Sequence, residues 1–268
     1  YQSNPIAVEK KAVYKNIIKK RTAAILYENK RENYLCKHNN IRYRGLGVEG
    51  YIDIQKVKLC FGEIEKEWWK GRKVWIGLDL SLSEDNTAAA IIYAKVLGFL
   101  PDGRIEQKTS KEHVNYKRCI DHGDCIACGD EVIDYSVVEN KIMTLEEEYG
   151  VTIMQIGYDK WNAISSVQKF EAAGYECVEI KQHSSVLHAP TKLLKEKILS
   201  KEFIYDSNRL LEINFQNARC TEDTNLNKYV NKKKSAGKVD MVVSLINAMY
   251  LLQQYMLYGV DDFSVQTA

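Results

Sequence analysis

The sequence contains no apolar run approaching the roughly 18 residues that a membrane-spanning helix needs. Its start, YQSNPIAVEKK, has no apolar core of the kind a secretory signal requires. A soluble, intracellular protein with no membrane partner is expected. Net charge is also scarce: 38 Lys and Arg against 36 Asp and Glu leave +2, so attraction to a polyanion must come from local clusters. There is no G-x-x-x-x-G-K-[ST] loop and no G-x-G-x-x-G at a strand-to-helix turn, which removes the usual nucleotide-phosphate cradles. No internal repeat or low-complexity tract is present. An even cysteine count is missing too. The seven, scattered from Cys36 to Cys220, suit free thiols in a reducing compartment better than a disulfide framework. The first residue is Tyr1 rather than Met, and a piece of a longer chain is expected.

What is present is an ordinary globular composition. Over 268 residues, 45% are hydrophobic and 28% charged, enough for a sizeable core in one or two domains. Residues 1–70 are rich in Lys, Arg, Glu and Tyr, with helical periodicity in VEKKAVYKNIIKKRTAAILYENK and an irregular stretch through GLGVEG, so they read as a linker or the tail of another domain. Residues 71–258 form the main domain, and 259–268 a C-terminal tail.

Within the main domain the pattern predicts a strand over 74–80, a turn at SLSEDN, a strand over 87–96, a turn at PDGR and a strand over 105–114. Connections this short imply an antiparallel meander. A helix over 135–149 closed by Gly150, a strand over 153–159, a helix over 161–173 stopped by Gly174 and a strand over 175–180 follow, a rhythm of parallel crossovers. The expected fold is α/β: an RNase H-like mixed sheet, a three-strand antiparallel meander continued by parallel strands, flanked by helices.

Two of these strands share a signature. VWIGLDLS and IMQIGYD each place an aspartate two residues after a glycine, so Gly77 shares a face with Asp79, and Gly157 with Asp159. Each glycine reads as clearing space beside its carboxylate, where a metal ion or a DNA backbone approaches. Parallel neighbours bring both aspartates out at the carboxyl ends of the sheet, and two such carboxylates call for a hard divalent cation. KVDMVVSLINAMYLL supplies a third acid, Asp240, in the first turn of an apolar helix, where Ser244 and Ala248 keep its face small. The alternative for Asp240 is simple complementation of the helix dipole.

Other candidates are weaker. CIDHGDCIAC spaces Cys119, His122, Cys125 and Cys128 by threes, which zinc accepts as a donor set. One compressed segment wraps a tetrahedral ion poorly, however, and a polar loop turning at Gly123 and Gly129 is the simpler reading. Lys228, Lys232, Lys233, Lys234 and Lys238 form a basic, flexible approach to Asp240, hinged at Gly237, suited to phosphates or merely to solvent. Glu84 and Asp85 follow the first acid on a turn. His113, His183 and His188 have no spacing that pairs them.

DLSLSEDNTA with Asp79, YDKWNA with Asp159 and KSAGKVDMVVSLINA with Asp240 together resemble the three acidic motifs in the nuclease domain of tailed-bacteriophage large terminase subunits. HAPTKLLKEKILSKEFIYDSN and FQNAR extend the resemblance over about 74–255, and ENKRENYLCKHNNI with VKLCFGEIEKEWW resembles the end of the family's ATPase region and its linker. Lys160 stands where the family often has Pro, and Met241 where a small Gly often follows the third acid. Neither change removes a ligand.

The resemblance implies an endonuclease that cuts double-stranded DNA, a concatemeric viral genome, during packaging. It implies two Mg²⁺ or Mn²⁺ ions on Asp79, Asp159 and Asp240, with the small terminase subunit and the portal protein as partners. The expected setting is the cytoplasm of the infected bacterial host, with transient docking at the procapsid portal. No ATPase site is expected in this chain. Two alternatives remain open: another RNase H-like nuclease of the junction-resolvase or transposase type, and a non-catalytic DNA or portal docking module.

Overall fold

The computed structural model describes residues 9–26, 34–35, 37–39, 49–81, 87–91, 95–160 and 162–259. Glu84, Asp85, Cys36, Trp161 and most of the GLGVEG stretch lie outside these. The chain divides into two compact units, Tyr1–Glu49 and Gly50–Ala268. In the first, the predicted helical periodicity forms α1, Lys11–Leu26, with Ala24 buried.

The second unit is built on a six-stranded sheet. Its strands are β1 (Lys73–Asp79), β2 (Thr87–Ile91), β3 (Lys95–Leu100), β4 (Cys125–Ala127), β5 (Thr152–Tyr158) and β6 (Cys177–Glu179). They lie in the order β4-β3-β2-β1-β5-β6. β1, β2 and β3 pair antiparallel, whereas β4 joins β3, β5 joins β1 and β6 joins β5 in parallel. A meander continued by parallel strands is the RNase H-like order that the pattern predicts.

The meander is cut differently from the expectation. The run read as one strand over 87–96 is the end-to-start of two, β2 and β3, whose connection at 92–94 lies outside the described residues. Its sequence, Ile-Tyr-Ala, carries none of the Gly, Pro, Asn or Asp that mark turns. The segment read as the third strand is instead helix α3, Ile105–Glu112, entered through a single 3₁₀ turn at Asp102–Arg104 and ended by His113 in the left-handed region at φ 56°. Its interior, EQKTSKE, holds straight-chain helix formers and no alternating apolar residues, so nothing in it rewards a half-buried strand.

Further helices follow: α4 (Tyr116–His122), α5 (Tyr135–Met143), α6 (Leu145–Tyr149), α7 (Ile164–Ala172), α8 (Ser184–Leu199), α9 (Arg209–Asn217) and α10 (Asp240–Tyr258), with the short α2 at Ile54–Lys58. Caps set their starts. Asn115, Asp134 and Asn208 accept hydrogen bonds from Arg118, Ser136 and Leu211 N–H groups at 3.0, 2.9 and 2.8 Å. The predicted helix over 135–149 is two, breaking at Thr144 before Gly150 closes α6. A hairpin of β7 (Arg219–Glu222) and β8 (Lys228–Val230) precedes α10.

Two apolar layers enclose the sheet. Val74, Ile76 and Leu78 of β1 pack with Val138 and Ile142 of α5 and Val167 and Phe170 of α7. Trp75 faces the other way, into the layer built by α10, α8 and α9 with residues 50–60. This is the alternation read from VWIGLDLS. α10 is buried along nearly its whole first half, from Asp240 to Met249, as a helix apolar on almost every side must be.

The cysteine segment is a helix and a strand, not a loop. Cys119 lies on α4, Gly123 ends that helix at φ 85°, and Cys125 opens β4. Cys119 and Cys125 are buried in the α10 layer and Cys128 in the opposite one, so the set does not converge. His122 instead pairs its Nδ1 with Asp124 at 2.7 Å. Burial, with Asp124 next, pushes the Cys119 thiol up to about 11. Burial likewise raises Cys125 and Cys128, which favours neutral thiols packed as core.

Candidate active site

The site forms where β1, β5 and the start of α10 meet. β1 and β5 run parallel with Gly77 opposite Gly157, so Asp79 and Asp159 each stand two residues beyond a matched pair, at the carboxyl ends of neighbouring strands. Asp240 opens α10 against the same strand. The helix is fixed there by Ser244, whose Oγ donates to the Gly77 carbonyl at 2.5 Å, and by Asn247, whose Nδ2 donates to the Leu78 carbonyl at 2.8 Å. Asn214 of α9 accepts from the Met241 N–H at 3.1 Å and holds the first turn.

The two glycines have a different purpose from the one expected. A Cβ on Gly77 would stand 2.0 Å from the Ser244 carbonyl oxygen and 2.5 Å from the Ala248 nitrogen. One on Gly157 would meet Ile180 at 2.6 Å and Leu251 at 3.0 Å. Both clear room for packing, Gly77 for the α10 backbone itself, rather than for an ion or a DNA strand beside the carboxylate. The consequence for the site is indirect: only a strand without a side chain at 77 lets α10 come close enough to bring Asp240 to Asp79.

Asp79 and Asp240 are 4% and 2% exposed. Between them sits a cation. Lys232 Nζ lies 2.6 Å from Asp79 Oδ1 and 2.5 Å from Asp79 Oδ2, straddling the carboxylate, and 3.6 Å from Asp240 Oδ1. Asp159 is half-buried and lines a cavity of ≈ 430 Å³ together with Lys232, Lys233, Asn231, Tyr229 and Gln182. Among the described residues, no group of three or more His, Cys, Asp or Glu side chains is placed to hold a metal ion as it stands. The arrangement is therefore two buried acids sharing an ammonium, with the third acid on the adjoining cavity.

The basic segment is ordered rather than a flexible approach. Lys232–Lys234 form a 3₁₀ turn capped by Asn231, whose Oδ1 accepts from Lys234 N at 3.3 Å and whose Nδ2 donates to Thr221 Oγ1 and Tyr229 OH. Lys228 lies in β8, where its N–H donates to His188 Nδ1 at 2.8 Å, giving that histidine a structural role. His183 likewise accepts from Ser185 N at 3.3 Å, as the cap of α8, while His113 is the exposed left-handed residue ending α3. Gly237 is no hinge: a Cβ there would meet the Asn217 side chain at 2.7 Å, and Asn217 Nδ2 donates to the Lys238 carbonyl. Lys233 and Lys234 are exposed and Lys238 half-exposed.

One group near the site was not singled out from the sequence. Lys108 of α3 is buried, with its ammonium 3.5 Å from Glu112. Burial pulls its pKa down, Glu112 pushes back, Lys238 lowers it and Asp240 raises it. Misreading α3 as a strand hid it.

An RNase H-like sheet with acids at the carboxyl ends of its central strands and at the start of the helix packed on them defines a nuclease fold class. The family model for the endonuclease domain of the terminase large subunit matches residues 1–254, and the chain belongs to that family, the nuclease domain of phage terminase large subunits. Among solved structures, the large terminase of bacteriophage HK97 is similar, with 20% identity and a TM-score of 0.67 over 88% of this chain and 50% of that one. The chain thus spans half the length of that terminase. The large terminase nuclease of thermophilic phage G20c with bound magnesium aligns at 15% identity and a TM-score of 0.43, over 73% of this chain and 95% of that one. The large terminase of another thermophilic bacteriophage, in complex with ADP, aligns at 11% identity and 0.47, over 84% and 49%. No curated protein matches the sequence.

Proposed function

We propose that this chain is a divalent-metal-dependent endonuclease that cuts double-stranded DNA, the nuclease part of a phage packaging motor acting on a concatemeric genome. One observation carries the reading: two buried carboxylates from separate elements, Asp79 and Asp240, already share a cation, and Asp159 adjoins it on an open cavity. The donor set is all carboxylate oxygen, which fits Mg²⁺ or Mn²⁺ rather than a soft metal. The stand-in ammonium on both acids supports their suitability for positive charge.

Asp79, Asp159 and Asp240 would hold the metal, two ions in the full reading. The chemistry supplied by bound magnesium or manganese is charge neutralisation at the phosphodiester and a lowered pKa for the attacking water. The chain's own residues do the positioning. The β1–α10 hydrogen bonds fix Asp79 against Asp240, and the cavity gives a phosphate access to Asp159. Lys228, Lys232, Lys233, Lys234 and Lys238 place positive charge along the approach, contributing affinity without reading sequence. Translocation requires an ATPase outside this chain. The small terminase subunit, the portal protein and a setting in the infected bacterial cytoplasm belong to the same proposal.

Nicking of supercoiled plasmid in Mg²⁺ or Mn²⁺ tests it. The expected result is relaxed and linear product with little sequence preference, and a loss on the order of 10³-fold for Asp79→Asn, Asp159→Asn or Asp240→Asn with the fold retained. DNA bound but uncut by the folded wild-type chain in either metal would replace the nuclease reading with that of a docking module.

A further inference from the structure

We propose that Lys232 is a built-in counter-cation that occupies the metal position when no metal is bound, and that divalent ions enter only by displacing its ammonium. The inference rests on the nuclease reading and deepens it by assigning what controls the metal.

Three observations converge. First, the ammonium straddles both oxygens of Asp79 at 2.6 and 2.5 Å, the position a chelated cation takes on a carboxylate, and it also reaches Asp240. Second, both acids are nearly fully buried, so without a cation between them two like charges would face each other in a poorly solvated space. Third, the side chain is delivered from a fixed place. Asn231 N donates to the Arg219 carbonyl at 2.9 Å, Asn231 caps the turn, and Ser235 Oγ donates to the Asn231 carbonyl at 2.8 Å, so the backbone at Lys232 is anchored to the hairpin. The Lys232 side chain itself is 38% exposed and borders the cavity that Asp159 lines. A lysine stem with a fixed root and an open side has somewhere to swing.

This gives the residue two positions with one economy of charge. With no metal, the ammonium keeps the acid pair compensated. With metal on Asp79 and Asp240, like-charge repulsion sends the ammonium out into the cavity, where a DNA phosphate is its natural acceptor. Binding of metal and of DNA is thereby coupled, each favouring the displaced lysine, and by linkage the coupling is reciprocal. A chain without DNA holds metal weakly.

Mn²⁺ titration followed by calorimetry, without DNA, tests the proposal on the whole chain. Lys232→Met is expected to bind Mn²⁺ on the order of tenfold to a hundredfold more tightly than wild type, because the competing cation is gone. Its metal-free form melts lower than wild type, and its Mn²⁺-induced rise in Tm is larger. Lys232→Arg, which keeps a cation, stays on the weak-binding side and is the measurement that stands if the methionine variant fails to fold. Mn²⁺ affinity unchanged or weakened in Lys232→Met, or tightened equally in Lys232→Arg, overturns the counter-cation. Failure of the nuclease reading looks different: wild type and Asp79→Asn then bind Mn²⁺ identically, whatever residue stands at 232.

Discussion

The two faces of β1 come from alternate residues of a single seven-residue strand, yet they are held by different forces. On one, Val74, Ile76 and Leu78 meet the aliphatic and aromatic side chains of α5 and α7, an interface of dispersion and area that small volume changes merely loosen. On the other, Gly77 lets the backbone of α10 close onto the strand. There Ser244 and Asn247 bond the carbonyls of Gly77 and Leu78, and the acid pair is set by that approach. An apolar face tolerates exchange because its contacts are many and weak. The face that builds the site is specified by a few contacts, each of them directional. The candidate site sits on the less forgiving side of the strand.

The strongest way to break this asymmetry is Gly77→Ala. The new methyl meets two backbone atoms of α10, at 2.0 and 2.5 Å, that cannot move aside as a flexible side chain would. A loss of about 3 kcal/mol in urea unfolding is expected, against about 1 kcal/mol for Ile76→Val one residue away on the other face. Equal losses would mean that the two faces are packed alike and that the glycine does not set the helix.

A smaller effect sharpens the same point. Asn247 is completely buried, donates to the Leu78 carbonyl at 2.8 Å and accepts from Gln182 Nε2 at 3.2 Å. Asn247→Leu keeps the branched outline, with somewhat bulkier ends, and removes both bonds, and about 2 kcal/mol of stability should go with the change. Nuclease activity should fall further than this loss explains at temperatures where the variant is fully folded, because α10 carries Asp240. A variant of normal activity would detach the helix clamp from the site.

Much of this was legible in the sequence, and the reason is periodicity. Alternation in VWIGLDLS separated the faces of β1 correctly, and the apolar run after Asp240 announced a buried helix. Three other features were not legible. The purpose of Gly77 depends on how close a segment 167 residues away approaches, which no local pattern encodes. The β2–β3 break was hidden because residues 92–94 carry no turn residue, and that shift turned α3, with Lys108, into a spurious strand. Lys232 was read as one of five similar lysines. Its distinction is that, from a capped turn, its ammonium reaches Asp79 and Asp240, although the residue is exposed like Lys233 and Lys234.

The hairpin that aims Lys232 is itself pinned by an acid, and pH reaches it. Asp223, between β7 and β8, accepts from Ser184 Oγ at 2.6 Å, from Asn227 Nδ2 at 2.9 Å, and from the N–H groups of Asn227 and Asn225 at 2.9 and 2.8 Å. These bonds, Ser184 first, hold its carboxyl well below the ordinary 3.8. A carboxyl depressed in the folded state stabilises the fold above its unfolded pKa, and that contribution is lost as pH falls through the folded value. Thermal melts of wild type should therefore drop through the acid range below about pH 4. Asp223→Asn should start lower at neutral pH, fall less steeply, and converge with wild type in acid. Parallel curves for the two proteins would show that the carboxylate at 223 does not hold the hairpin to α8, and that the aim of Lys232 depends on the Asn231 cap alone.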